Sequence, residues 1–126
     1  MIRYSYNRQC WPPAPFVYVS LRCPETGRLV EKLPAQVDPG ADRAVIPERL
    51  VGLLDLVLLD ELWVAGLGGQ GSWLSTYRME LILHDLSPQL VEVFAHAEEP
   101  HVLLGRDVLN QHRLLLDGPG LALEIL

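Results

Sequence analysis

Asp38 lies at the end of an apolar segment, where its carboxylate is placed to take part in chemistry. Ala35 and Val37 alternate with other residues as in a half-buried strand, and Pro39 and Gly40 end that strand. Little water reaches a carboxylate in such a place, so it must be paired with another group or serve in a reaction. We therefore take Asp38 as the candidate acid or base of this chain.

Several short elements must hold this carboxylate in place. Residues 44–46 predict a second strand, and Pro47 begins a predicted helix that runs to Leu54. Further along, the sequence predicts a buried strand at 101–104, one or two helical turns at 107–112 and a terminal hairpin at 114–125. Short, evenly spaced strands separated by turn residues predict an all-β fold, a small closed β barrel.

Two blocks of sequence resemble a known family. Residues 38–42 (DPGAD), followed by Val45 and Ile46, resemble the Asp-Thr/Ser-Gly-Ala loop of the retropepsin-like (retroviral-type) aspartic proteases. Residues 102–109 (VLLGRDVL) resemble the late motif of that family, in which two apolar residues precede Gly, Arg, Asp or Asn, and a helix. The resemblance implies a barrel of the retropepsin-like acid protease type, with one short helix after the late Gly-Arg-Asp motif.

The resemblance covers residues 16–126, which we predict to be the retropepsin-like aspartic protease domain. Residues 1–15 precede it, and 10–15 (CWPPAP) are rich in proline. Such a run favours polyproline II over a strand. We interpret residues 1–15 as an N-terminal Pro-rich arm, which either packs on its own domain through Trp11 or reaches a partner chain.

The resemblance implies an aspartic endopeptidase, whose chemistry needs two carboxylates that share one proton. The ionised carboxylate activates a water, and the protonated one polarises the scissile carbonyl, with no cofactor or metal. The chain has one loop of this kind, because Asp117 and Gly118 lack apolar flanks. A homodimer is therefore expected, in which each chain supplies Asp38 as the catalytic residue.

Further roles follow from the resemblance. Gly40 and Ala41 form the wall of the substrate site, and Asp42 contacts the backbone of a peptide or protein substrate. Asp42 is also expected to pair with Arg106, and Arg106 and Pro39 give structural support. This pair is expected to be buried, so removing one member should leave a buried charge, at a cost of roughly 3–5 kcal/mol. Asp107 is an alternative cap for the following helix.

Four glycines lie between residues 66 and 71 and predict a tight hairpin tip. In the family this hairpin is a flap that closes over the substrate. The alternative is an ordinary hairpin turn. The expected flap residues that bind substrate are Gly66, Leu67, Gly68 and Gly69.

Pro39 departs from the family pattern. The Thr or Ser at this position bonds across the dimer to the backbone N–H of the partner loop, whereas proline has neither a hydroxyl nor an N–H. Each lost hydrogen bond costs about 0.5–1.5 kcal/mol. Two alternatives remain open: a catalytically impaired relative that serves peptide binding or dimerisation, and an unrelated small barrel in which residues 38–40 form a plain turn.

Composition excludes some function classes. The formal net charge of -6 argues against a nucleic-acid or anionic-membrane surface. The 126 residues predict a single domain. The two cysteines and four histidines follow no metal-ligand spacing, so Cys10 and Cys23 are interpreted as free thiols. The N-terminal residues contain no apolar signal-peptide core, and a cytoplasmic location is expected.

Overall fold

The strands of this chain follow the alternation of its apolar residues. A computed structural model describes residues 1–66 and 68–126. In chain order the elements are β1 (Ile2–Ser5), β2 (Phe16–Arg22), β3 (Leu29–Val37), β4 (Val45–Pro47), α1 (Arg49–Leu54), β5 (Leu58–Ala65), β6 (Gly71–Leu83), β7 (Gln89–His96), β8 (Val102–Leu104), α2 (Arg106–Leu109), β9 (Leu114–Asp117) and β10 (Ala122–Ile125).

Strand pairing closes a barrel. Hydrogen bonds join β2, β3, β8, β4, β7 and β6 in that order, and β6 pairs again with β2 to complete the ring. A closed ring leaves its strands without a free edge. The prediction of a small closed all-β barrel is confirmed, and the short helix predicted at the Gly-Arg-Asp motif is α2.

Alternate residues of the ring strands fill the barrel. In β2, Val17, Val19 and Leu21 are buried, whereas Tyr18 between them is exposed. Full burial of such a side chain contributes roughly 1.5–3 kcal/mol. Other members of the same core come from the later strands and both helices: Met79, Leu81, Val93, Leu104, Leu50, Leu54 and Val108.

One parallel pairing brings the two sequence blocks together. β3 and β8 run parallel, with Val37 opposite Leu104. Since parallel strands end at the same edge, the loop after β3 lies beside the residues that follow β8. β4 pairs with β8 through Val45 and Leu103. The segment that follows the acidic loop therefore also lies beside β8.

The N-terminal segment contributes a strand to the fold. Ile2–Ser5 is a strand, and β1, β10 and β9 form a second sheet in that order. The alternation of half-buried Ile2 and Tyr4 with exposed neighbours explains the strand, because both side chains pack against the core. Trp11 is 91% exposed and does not anchor the segment on its own domain. The domain boundary at residue 16 stays a prediction.

β5 and β6 form a long hairpin that extends past the barrel. Their pairing runs from Leu58 with Tyr77 to Ala65 with Gly71, whereas β7 pairs with β6 only from Thr76 onward. The hairpin tip therefore has exposed side chains on both strands. Among the described residues, no helix has the length and apolar character needed to cross a membrane.

Candidate active site

Asp38 directly follows β3, and its backbone N–H donates to the carbonyl of Leu104 at 3.0 Å. The chain then turns tightly, because the N–H of Ala41 donates to the carbonyl of Asp38 at 3.1 Å. Asp38 is half-buried. Its backbone is thus tied to the end of β8, which belongs to the second of the two sequence blocks.

Gly40 holds the carboxylate of Asp38. Its N–H donates to Asp38 Oδ1 at 2.9 Å. A Cβ at position 40 would lie 3.1 Å from the same oxygen, closer than most Cβ contacts. Glycine therefore allows the close approach on which this hydrogen bond depends.

Arg106 supports the loop from the side. Its Nη1 donates to the carbonyl of Pro39 at 2.8 Å, and its Nη2 donates to Asp42 Oδ1. The backbone N–H of Arg106 donates to the carbonyl of Ala41 at 2.9 Å. One residue of the late motif therefore contacts three residues of the acidic loop, and the predicted pair of Asp42 with Arg106 is present.

The expectation that this pair is buried is wrong. The Asp42 side chain is 85% exposed and that of Arg106 is 45% exposed. Water screens such a pair, so its contribution to stability falls to about 0–1 kcal/mol. Both side chains are therefore in contact with solvent.

Sequence reasoning missed two further contacts between the blocks. Asp107 Oδ2 accepts a hydrogen bond from the N–H of Ala44 at 3.0 Å, and its Oδ1 accepts from the N–H of Val108 at 2.9 Å. At Gly105, a Cβ would lie 2.6–2.7 Å from backbone atoms of Arg43. Residues 105–107 thus hold residues 42–44. The sequence pattern that could have indicated these contacts is Gly-x-Asp, at residues 105–107, directly after a buried strand.

A groove of about 470 Å³ separates the acidic loop from β5. Its lining includes Gly40, Ala41, Asp42, Arg43, Val45, Leu62, Trp63, Val64, Ala65 and Phe94. The structure therefore brings three expected substrate-binding residues to one cleft beside the hairpin. Asp38 belongs to the same loop but, in the part of the chain that the structure describes, is not among the residues that line this groove.

The hairpin tip is tight. The N–H of Gly66 donates to the carbonyl of Gln70 at 2.7 Å, and Gly68 and Gly69 have positive φ angles of 88° and 79°. These three glycines lie at the tip and, in the described chain, do not line the groove. The expected role of Leu67 lies outside the described residues.

The site has no built metal centre in the part of the chain that the structure describes: no three His, Cys, Asp or Glu side chains converge there. The groups that the acidic loop presents include the Asp38 carboxylate and the backbone N–H of Gly40. A carboxylate held by an N–H at the end of a buried strand, beside a groove, is suited to acid–base work on a bound peptide.

A family model for retroviral aspartyl proteases matches residues 14–117. The chain belongs to the retroviral aspartyl protease family. The matched segment contains both the acidic loop and the late motif. No curated protein sequence matches the chain.

Solved structures share the fold of this retroviral aspartyl protease domain. A retropepsin-like aspartic protease from Rickettsia conorii aligns with a TM-score of 0.67 and 12% identity, over 98% of this chain and 88% of that one. EIAV protease in complex with the inhibitor HBY-793 aligns with a TM-score of 0.54 and 22% identity, over 90% of this chain and 100% of that one. The retroviral protease-like domain of Ddi1 from Leishmania major aligns with a TM-score of 0.51 and 16% identity, over 87% of each chain.

Proposed function

We propose that this chain is an aspartic endopeptidase that acts as a homodimer, with Asp38 of each chain as the catalytic pair. The observation that carries the proposal is the position of the Asp38 carboxylate. It lies at the end of a buried strand and accepts the N–H of Gly40 at 2.9 Å, on a loop held by Arg106. The groove beside this loop is open to an extended peptide.

A second copy is needed because each chain supplies one such carboxylate. The other Asp-Gly pair, at Asp117, lies in an exposed turn, where Asp117 Oδ1 accepts the N–H of Gly120. Two-fold symmetry is the commonest arrangement of soluble oligomers and brings the same loop of both chains face to face. Two carboxylates that approach closely cannot both ionise, so they share one proton.

In the proposed mechanism, the ionised Asp38 removes a proton from a water that attacks the scissile carbonyl carbon. The protonated Asp38 of the other chain donates a hydrogen bond to the carbonyl oxygen. Proton transfer to the leaving amine then breaks the C–N bond and restores the shared proton. Gly40 and Ala41 line the cleft and Asp42 orients the substrate backbone, while the tip glycines Gly66, Gly68 and Gly69 close over it.

Pro39 favours a second candidate, a relative with impaired catalysis that binds extended peptides or self-associates. Proline removes the hydroxyl and the N–H of the reciprocal bond implied for the family, and in this chain only its carbonyl is engaged, by Arg106. A bound peptide can add to a strand edge without any chemistry. The two candidates share the cleft and differ in whether peptide bonds break.

Cleavage of an unstructured protein substrate between pH 4 and 7 tests the proposal. We expect hydrolysis by the wild type and a loss of at least about 100-fold in Asp38→Asn, since Asn cannot exchange the shared proton. Asp117→Asn is the matched control, because the Asp117 carboxylate, like that of Asp38, accepts the backbone N–H of a nearby glycine. Activity that persists in Asp38→Asn would contradict the proposal.

Sedimentation equilibrium tests the requirement for two chains. Activity should rise with the fraction of dimer, and a chain that stays strictly monomeric while cleaving substrate is incompatible with a shared pair.

Pro39→Thr separates the two candidates. If Pro39 only weakens the dimer, Thr restores association and raises activity. Inactivity of both proteins as dimers favours the non-catalytic relative.

A further inference from the structure

Arg43 places a positively charged guanidinium in the groove. Its Nη1 lies 3.7 Å from Glu92 Oε2, and its guanidinium carbon lies 5.6 Å from the centre of the Phe94 ring. Among residues 1–66 and 68–126, no acceptor forms a hydrogen bond with the Arg43 side chain. A guanidinium has five N–H donors in a planar fork that matches a carboxylate, so this group has unused binding capacity.

The neighbouring charge, Asp42, has a counter-ion of its own. Its carboxylate accepts a hydrogen bond from Arg106, which lies outside the groove lining. Glu92 also lies outside the lining, and its contact with Arg43 joins side chains that are 40% and 42% exposed. Such a contact is weak and easily exchanged. Among the described residues that line the groove, Arg43 is the one cationic side chain, and the carboxylate beside it, Asp42, already has the Arg106 guanidinium as its counter-ion.

The backbone of Arg43 is fixed on both sides. Gly105 packs so closely that even a methyl group would lie 2.6–2.7 Å from the Arg43 N, C and O atoms. The N–H of Ala44, the next residue, is bound by Asp107. A side chain presented from a fixed backbone loses less conformational entropy when it binds a ligand.

The remaining lining fits the stem of an acidic side chain. Val45, Leu62, Val64 and Phe94 supply apolar surface beside Arg43. The methylenes of a glutamate can pack there while its carboxylate meets the guanidinium.

We propose that Arg43 is a specificity-determining residue that makes this groove prefer a peptide side chain with a carboxylate. The inference rests on the proposed endopeptidase function. In a symmetric dimer the preference applies on both sides of the scissile bond, once for each copy of Arg43.

Cleavage of a proteome-derived peptide library, with the products read by mass spectrometry, tests this inference. For peptides that differ only by Glu or Gln, we expect the wild type to favour Glu by about fivefold in kcat/KM at low salt, and less at 1 M salt. Arg43→Gln should bring the ratio to about one, and Glu92→Gln should raise it because Arg43 loses its competitor. Arg49→Gln, which removes an exposed arginine on α1, should leave it unchanged.

The outcomes separate this inference from the proposed function. Cleavage without acidic enrichment, or enrichment that persists in Arg43→Gln, overturns the inference and leaves the endopeptidase standing. If the wild type cleaves nothing, the endopeptidase proposal fails. The library is then passed over immobilised Asp38→Asn protein. Retention of acidic peptides that Arg43→Gln abolishes supports the role of Arg43, and unselective or absent retention overturns it.

Discussion

Asp107 Oδ2 accepts a hydrogen bond from the backbone N–H of Ala44 at 3.0 Å, although 63 residues separate the two in sequence. With Gly105 packed on Arg43 and Arg106 bound to Asp42, this contact makes three consecutive residues of the late motif hold residues 42–44, where the acidic loop ends. The motif thus acts as a brace for the loop that carries Asp38.

Asp107→Ala should destabilise the fold by about 1–3 kcal/mol, because the buried Ala44 loses the acceptor for its N–H. Urea unfolding followed by circular dichroism measures the change. Asp85→Ala is the control, since the Asp85 side chain is 84% exposed and should change stability by less than about 0.5 kcal/mol. Equal urea midpoints for Asp107→Ala and Asp85→Ala would contradict this prediction and would mean that water replaces Asp107 as the acceptor of the Ala44 N–H.

Gly105→Ala and Gly52→Ala should change stability in opposite directions. At position 105 the new methyl group meets backbone atoms of Arg43, which cannot move cheaply, so we expect a loss of about 1–3 kcal/mol. At position 52, inside α1, a Cβ meets nothing within 4 Å. Alanine there should stabilise by roughly 0.5–1 kcal/mol. Thermal unfolding of both variants measures the difference, and a neutral Gly105→Ala contradicts the close packing.

Arg106→Gln should separate stability from activity. The exposed pair with Asp42 contributes only about 0–1 kcal/mol, so unfolding should change little. The loop loses its contacts at Pro39 and Asp42, and the resulting displacement of Asp38 should lower kcat/KM by about 10- to 100-fold. Asp42→Asn retains an oxygen acceptor and should have a smaller effect. A parallel loss of stability and activity would indicate a purely structural arginine.

The Trp63 and Trp73 rings provide a spectroscopic test of the hairpin. Their centres lie 5.6 Å apart across β5 and β6 in an edge-to-face arrangement, and Trp63 also covers Gly71. Such a pair should give an exciton couplet in the far-UV circular dichroism spectrum. We expect Trp73→Phe and Gly71→Ala to reduce the couplet and Trp11→Phe, at an exposed site, to preserve it. A couplet that survives in Trp73→Phe would exclude this assignment.

Glu25 should contribute a pH-dependent increment of stability. The Arg78 guanidinium, which donates at 2.9 Å, and then the Cys23 thiol lower the pKa of Glu25 from its ordinary 4.5. Because the folded pKa is the lower one, the increment is present above the unfolded value and is lost as pH falls through the folded value. The difference in stability between wild type and Glu25→Gln should therefore shrink from pH 7 to pH 3. Exposed Glu31→Gln is the control, and a difference that does not change with pH would contradict this linkage.

Much of the barrel could be predicted because its strands are short, alternate regularly and are separated by turn residues. β2, the terminal hairpin and the helices followed from such local patterns. β1 could not, since a strand of four residues forms only where β10 offers it a partner. Tertiary context also decides the exposure of Trp73. It points to the same side of β6 as buried Met79, but β6 extends beyond the barrel at this position, so no neighbouring strand covers the Trp73 side chain among the described residues.

The sequence by itself determined the family and the candidate carboxylate, because the residues around Asp38 and those around Arg106 are local patterns that need no partner to be recognised. Only the tertiary structure decided what these patterns touch. The parallel pairing of β3 with β8 brings Asp107 to Ala44 and Gly105 to Arg43, and it leaves the Asp42–Arg106 pair in solvent. Exposure and long-range hydrogen bonds depend on which strands become neighbours, and spacing along one chain does not contain that information.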